Sequence, residues 1–194
     1  MDAFLVSTGI VGLAEIGDKT QLLALLLATR LRRPLPIVLG ILVATLLNHA
    51  FSAAAGVLVG ELLGPVAVRW LLGLSFLGIA IWTVLQNLPH AGEREEPPLG
   101  RHGVFLATAL AFFIAEMGDK TQVATVALAA RYEPMAAVVA GTTLGMMLAN
   151  VPLVYAGGRI AGRAALAIAH GIAALVFAAA GIATLLGAGG LAGA

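Results

Sequence analysis

Apolar positions in this chain gather into six long runs with almost no period-two alternation, separated by short groups of proline, arginine and acidic residues. The first covers about 3–28 and stops at Arg30, Arg32, Arg33 and Pro34. The second, about 35–60, opens behind Pro34 and Pro36, where proline suits a helix start. A third runs over about 65–88. Three more follow at about 103–130, 134–157 and 164–187. Each is long enough to cross a bilayer core as a helix. The one hydrophilic stretch, 90–102, carries Glu93, Arg94, Glu95, Glu96 and the Pro97-Pro98 pair and reads as a solvated linker. The pattern predicts an all-α integral membrane protein of six transmembrane helices.

Composition agrees. Of 194 residues 60% are hydrophobic and 11% charged, and the mean hydropathy is +1.01, well outside the range of soluble domains. A net charge of +1 offers nucleic acid nothing to bind. Cysteine is absent, which removes disulfides, thiolate metal sites and cysteine nucleophiles. The N-terminus lacks a basic region and a small-residue cleavage site, so the first run is expected to be a retained helix.

Against this background one heptapeptide stands out. Glu15-Ile16-Gly17-Asp18-Lys19-Thr20-Gln21 returns as Glu116-Met117-Gly118-Asp119-Lys120-Thr121-Gln122, 101 positions later. Lys19 and Lys120 are the only lysines. A charge at the bilayer centre costs about 2.5–3.5 kcal/mol on insertion scales, so six unpaired ones would cost on the order of 15–20 kcal/mol, more than most folds are stable by. Gly40 and Gly141 keep the 101 offset, as do Arg30 and Arg131, while Asn48 and Asn150 keep it with a slip of one. Three spans per half is an odd number, so the second copy enters the membrane upside down. The expected plan is one membrane domain: repeat one at 1–88, linker at 89–102, repeat two at 103–191, with the site at the midplane between two inverted three-helix repeats.

Arginines orient it. The side holding the loops after spans one, three and five carries Arg30, Arg32, Arg33, Arg94, Arg101, Arg159 and Arg163; the other has Arg69 and Arg131. The positive-inside rule puts the linker in the cytoplasm and both termini outside.

Within a continuous helix, Glu15 and Asp18 share a face that Lys19 adjoins, and Glu116, Asp119 and Lys120 do likewise. Glu15 lies about 12 residues, roughly 18 Å, into its helix, and Glu116 is as deep from the opposite side. Inversion then brings four carboxylates together. They cannot all stay ionised side by side in a low dielectric, and two lysines lower a full charge of −4 to −2, which suits one divalent cation. When that ion leaves, protons take its place: the minimum machinery of an antiporter. Oxygen ligands favour Ca²⁺, Mn²⁺ or Mg²⁺. Thr20, Gln21, Thr121 and Gln122 can add neutral oxygens, and the glycine before each aspartate permits close approach or local unwinding. Asn48, His49 and Asn150, deep in spans two and five with Pro152 beside the last, can complete the site or gate it, and interhelical hydrogen bonding explains them equally well. Gly56-x-x-x-Gly60 and Gly141-x-x-x-Gly145 read as generic packing signals. The bland alternative for the motif is a pair of structural ion pairs, Glu15–Lys19 and Glu116–Lys120. Duplication at mid-membrane depth weighs against it.

The doubled Glu-x-Gly-Asp-Lys-Thr signature in a six-span chain resembles uncharacterised protein family 0016, the transmembrane protein 165 family, of the cation/Ca²⁺ exchanger superfamily. The resemblance covers nearly the whole chain. It implies exchange of Mn²⁺, or in some members Ca²⁺, against protons, with Glu15, Asp18, Glu116 and Asp119 as the acidic metal-site residues and Thr20 and Thr121 as the motif threonines. The expectation is therefore a cation/proton antiporter in the cell (inner) membrane, not an enzyme, with no tightly bound cofactor. Its substrates are a divalent cation and protons, and its surroundings are lipid. Two rivals remain: an exporter of amino acids or small organic cations, and a membrane assembly factor that moves nothing.

Overall fold

A computed structural model describes residues 1–86, 103–156 and 163–187, the segment 163–170 through its backbone alone. The predicted linker, with Arg94 and Arg101 in it, lies outside these residues, as does Arg159. The described chain is helical without strands, in eight helices: α1 Asp2–Glu15, α2 Lys19–Leu31, α3 Pro34–Leu62, α4 Pro65–Gln86, α5 Val104–Glu116, α6 Lys120–Arg131, α7 Met135–Ala156 and α8 Arg163–Leu185. Among the described residues, α3, α4 and α7 are long and apolar enough to cross a membrane by themselves.

The first and fourth apolar runs are not continuous helices. Each breaks at its motif into two half-length pieces, α1 with α2 and α5 with α6. The expected shared face of Glu15, Asp18 and Lys19 is therefore corrected: glutamate closes one helix and aspartate opens the next. The local cause is legible in the backbone. Gly17 and Gly118 take φ of 79° and 73°, left-handed values that glycine adopts without a side-chain clash. Ile16 and Met117 before them are extended.

Packing then crosses the repeats. α1 lies on α7, α5 on α3, and α4 on α8. Glycines set the closest approaches. A methyl at Gly40 in α3 would sit 2.8 Å from the Phe105 carbonyl oxygen of α5. One at Gly141 in α7 would run into the Phe4 carbonyl of α1. Both the glycines and the carbonyls they meet are 101 residues apart, so the repeat read from the motif extends to the helix seams. Phe76 and Phe177, again 101 apart, meet each other with ring centroids 6.1 Å apart, a residue touching its own counterpart at the α4–α8 seam. Gly56 and Gly60 seat α3 against Val126 and Ala130 of α6, which makes that predicted packing signal specific. Large apolar side chains such as Leu22, Phe51, Ile81 and Leu175 point outward, where lipid can meet them.

Candidate functional site

Each helix break ends in a cap built from the motif. The Asp18 side chain accepts the Lys19 amide at 2.7 Å at the start of α2, and Asp119 accepts the Thr121 amide at 3.4 Å at the start of α6. Gln21 and Gln122 reach back so that their Oε1 atoms accept the amides of Gly17, at 2.7 Å, and Gly118, at 2.9 Å. This is a variant of the capping box, with the N3 glutamine taking an amide one residue earlier than usual. The glutamates at the ends of α1 and α5 are held from across their own breaks: the Thr20 hydroxyl donates to Glu15, and the Thr121 hydroxyl donates to Glu116 at 2.8 Å.

The two breaks then meet. Lys19 Nζ lies 3.3 Å from Asp119, and Lys120 Nζ lies 3.2 Å from Asp18. The ion pairs run between the repeats, not within each motif as Glu15–Lys19 and Glu116–Lys120 would have done. Four helix termini converge here. The starts of α2 and α6 bring the positive ends of their dipoles, and the ends of α1 and α5 bring the negative ends. Glu15, Asp18, Glu116 and Asp119 are all buried. Among the described residues no three acidic or imidazole side chains stand close enough together to hold a metal ion between them. The motifs converge, but each aspartate is turned to a lysine of the opposite repeat.

Polar groups from α3 and α7 close the seam. Asn150 Nδ2 donates to Glu15 Oε1 at 2.9 Å. Gln21 Nε2 donates to the Ala149 carbonyl at 3.1 Å, and Gln122 Nε2 donates to Asn48 Oδ1 at 3.1 Å. Asn48 in turn donates to the Phe113 carbonyl at 3.2 Å. The acids, lysines, threonines and glutamines of the two motifs thus form one hydrogen-bonded seam with Asn48 and Asn150. His49, read from the sequence beside those asparagines, lies in the same stretch of α3 and is fully buried. Its signal was available: counted from Gly40 to Gly141, the partner of Asn150 is His49, not Asn48.

Residues 3–91 and 104–191 match the family described as divalent cation/proton antiporter GDT1, one stretch for each repeat. The chain belongs to this family. Members are transporters and not enzymes, and with membership the organic-cation and assembly-factor readings fall away. The chain is also 45% identical over 158 residues to the "Putative manganese exporter" of Vibrio cholerae serotype O1, covering 81% of this chain and 77% of that protein. No solved structure matches it. What the family match adds to the geometry is the direction of the chemistry: a divalent cation and protons, moved in opposite senses.

Proposed function

We propose that this antiporter exchanges Mn²⁺ for protons, with Ca²⁺ as the alternative cation, by alternating access between two inverted repeats. Each of the broken pairs α1–α2 and α5–α6 makes one crossing, giving six in a single membrane domain: repeat one at 1–88, linker at 89–102, repeat two at 103–191. The linker faces the cytoplasm and both termini face away from it. One observation carries the reading. Two identical acidic motifs sit buried at helix breaks and pair crosswise through the chain's two lysines. Broken helices whose ends meet at mid-depth are how transporters build ion sites without exposing backbone to lipid.

Glu15, Asp18, Glu116 and Asp119 bind metal and protons in turn. Their combined charge of −4, lowered by two lysines to −2, matches a divalent cation. With the cation gone, Lys19 and Lys120 hold the aspartates and protons neutralise the glutamates. An arriving cation displaces the ammonium groups and releases the protons, so ion and proton cannot occupy the site together. That competition is the coupling. The threonines hold the glutamates in place, the glutamines brace the breaks themselves, and the unwound residues between half-helices offer backbone carbonyls.

The test is proton release in liposomes holding purified protein and a trapped pH dye, with Mn²⁺, Ca²⁺, Mg²⁺ and lysine added outside in turn. A divalent cation should drive the signal in the wild type. The E15Q/E116Q double variant should be monodisperse and silent, a loss of at least about 100-fold, as expected where a charged ligand pair is removed. Undiminished exchange by that variant would sink the reading.

A further inference from the structure

The 101-residue symmetry assigns a partner to each buried group at the seam, and one group breaks the pattern. Gly141 and Gly40 seat α7 and α3 on the carbonyls of Phe4 and Phe105. Nine residues beyond these glycines stand Asn150 and His49; eleven beyond the carbonyls stand Glu15 and Glu116. In one half Asn150 bonds Glu15 at 2.9 Å. By register, His49 is the counterpart of Asn150, as Glu116 is of Glu15. The neighbouring pair supports that register: Gln21 reaches residue 149 and Gln122 reaches residue 48, again 101 apart.

His49 is fully buried, yet neither ring nitrogen has a hydrogen-bond partner. Glu116 Oε1, Glu15 Oε2 and Asn150 Oδ1 are buried without partners as well. A polar atom left so in the interior calls for an explanation, and an ion that the site takes up is one. The four sets of lone pairs belong to the two glutamates, to the α7 residue that bonds one of them, and to that residue's counterpart in α3. Three are oxygens. The fourth is an imidazole, a ligand that first-row transition ions accept and that Ca²⁺ and Mg²⁺, which take oxygen, do not favour.

We propose that His49 gives the transported cation its one nitrogen ligand, beside Glu116, and that this residue makes the site prefer Mn²⁺ to Ca²⁺ and Mg²⁺. The inference rests on the exchanger reading above. It adds that selectivity lies in the difference between the repeats: carboxamide from α7, imidazole from α3. The acidic motifs, identical in both, set the charge of the cargo. They do not distinguish one hard divalent ion from another.

The test is pulsed electron paramagnetic resonance of Mn²⁺ bound to purified protein, alongside competition of Ca²⁺ for Mn²⁺ binding. With histidine labelled by ¹⁵N, the wild type should show coupling to an imidazole nitrogen, and H49N should lose it. H49N should keep binding Ca²⁺ while its preference for Mn²⁺ falls by about tenfold or more, as losing one favourable ligand entails. N150H, which places a second imidazole at the symmetric position, should shift preference toward Mn²⁺. No nitrogen coupling in the wild type, or an unchanged Mn²⁺:Ca²⁺ ratio in H49N, would overturn the proposal. Should H49N fail to fold, the wild-type spectrum decides alone. Failure of the exchanger reading looks different: E15Q/E116Q would then exchange cations normally, whatever the spectrum shows.

Discussion

The half-helices α2 and α6 begin with the same three residues, Lys-Thr-Gln, and lead to opposite environments. The side chain of Lys19 is 50% exposed, whereas that of Lys120 is 0%. α6 buries Thr121, Ala124, Thr125, Ala127, Leu128 and Ala129 along its length. α2 buries Thr20, Ala24, Leu27 and Ala28 and leaves Leu22 largely exposed. The remaining letters explain part of this. α6 is built of alanine, threonine and valine, small enough for Gly56 and Gly60 of α3 to lie against its backbone. α2 is leucine-rich and suited to a lipid-facing position. If the two halves alternate as proposed, the rest is a matter of state: alternating access requires two copies in unequal packing, because one side of a shared site is open while the other is shut. On the proposed reading the site here is approached along α2, from the linker side, and exchange of the two packings opens it along α6.

That contrast can be broken most sharply through the lysines. K120M leaves Asp18 buried without its cross-repeat ammonium, and breaking a buried pair from one side costs about 3–5 kcal/mol. K19M also leaves a buried carboxylate, Asp119, but on the side where its lysine was half-exposed and solvent can take its place, so the loss should be smaller. Thermal unfolding in detergent should therefore place K120M far below K19M, and equal loss would mean that the two pairs are not different in kind. Access is the next measure. The chain has no cysteine, so K19C and K120C each present a single thiol, and K19C should react with a polar maleimide at least about tenfold faster, since exposure governs thiol reactivity. Equal rates would remove the idea that one side is open. The smallest effect tests what the breaks share. A methyl at Gly118 meets nothing within 4 Å, so G118A should cost only the left-handed backbone strain, about 1–2 kcal/mol. The unfolding temperature should fall by a few degrees, with K19C and K120C keeping their order of reactivity in that background.

Much of the site was legible in the residues, and the reasons differ from one group to the next. The duplicated heptapeptide announced itself because charge is expensive inside an apolar run. The breaks were legible in part: local unwinding at each glycine was one of the two options read there. Placing the charges on one shared face kept each run continuous, although Asp18-Lys19-Thr20-Gln21 and Asp119-Lys120-Thr121-Gln122 are capping boxes behind a glycine. Long apolar runs on both sides outweighed that local signal. Asn48 and Asn150 were paired by identity of letter, when the register set by Gly40 and Gly141 pairs His49 with Asn150. Symmetry in an inverted repeat is carried by backbone position, and side chains at matched positions are free to differ.

The sequence alone determined that this chain belongs in a bilayer, that it is a doubled unit, and that its buried charge is concentrated in two acidic motifs. Hydropathy, repetition and the cost of buried charge are all local or periodic properties, readable without knowing what touches what. Tertiary structure decided which lysine answers which aspartate, that the pairs cross between the repeats, and that one copy is buried deeper than the other. Those facts depend on contacts between residues a hundred positions apart, and two heptapeptides that differ only at Ile16 and Met117 do not encode the difference between them. Only the packing of each copy against the rest of the chain distinguishes them.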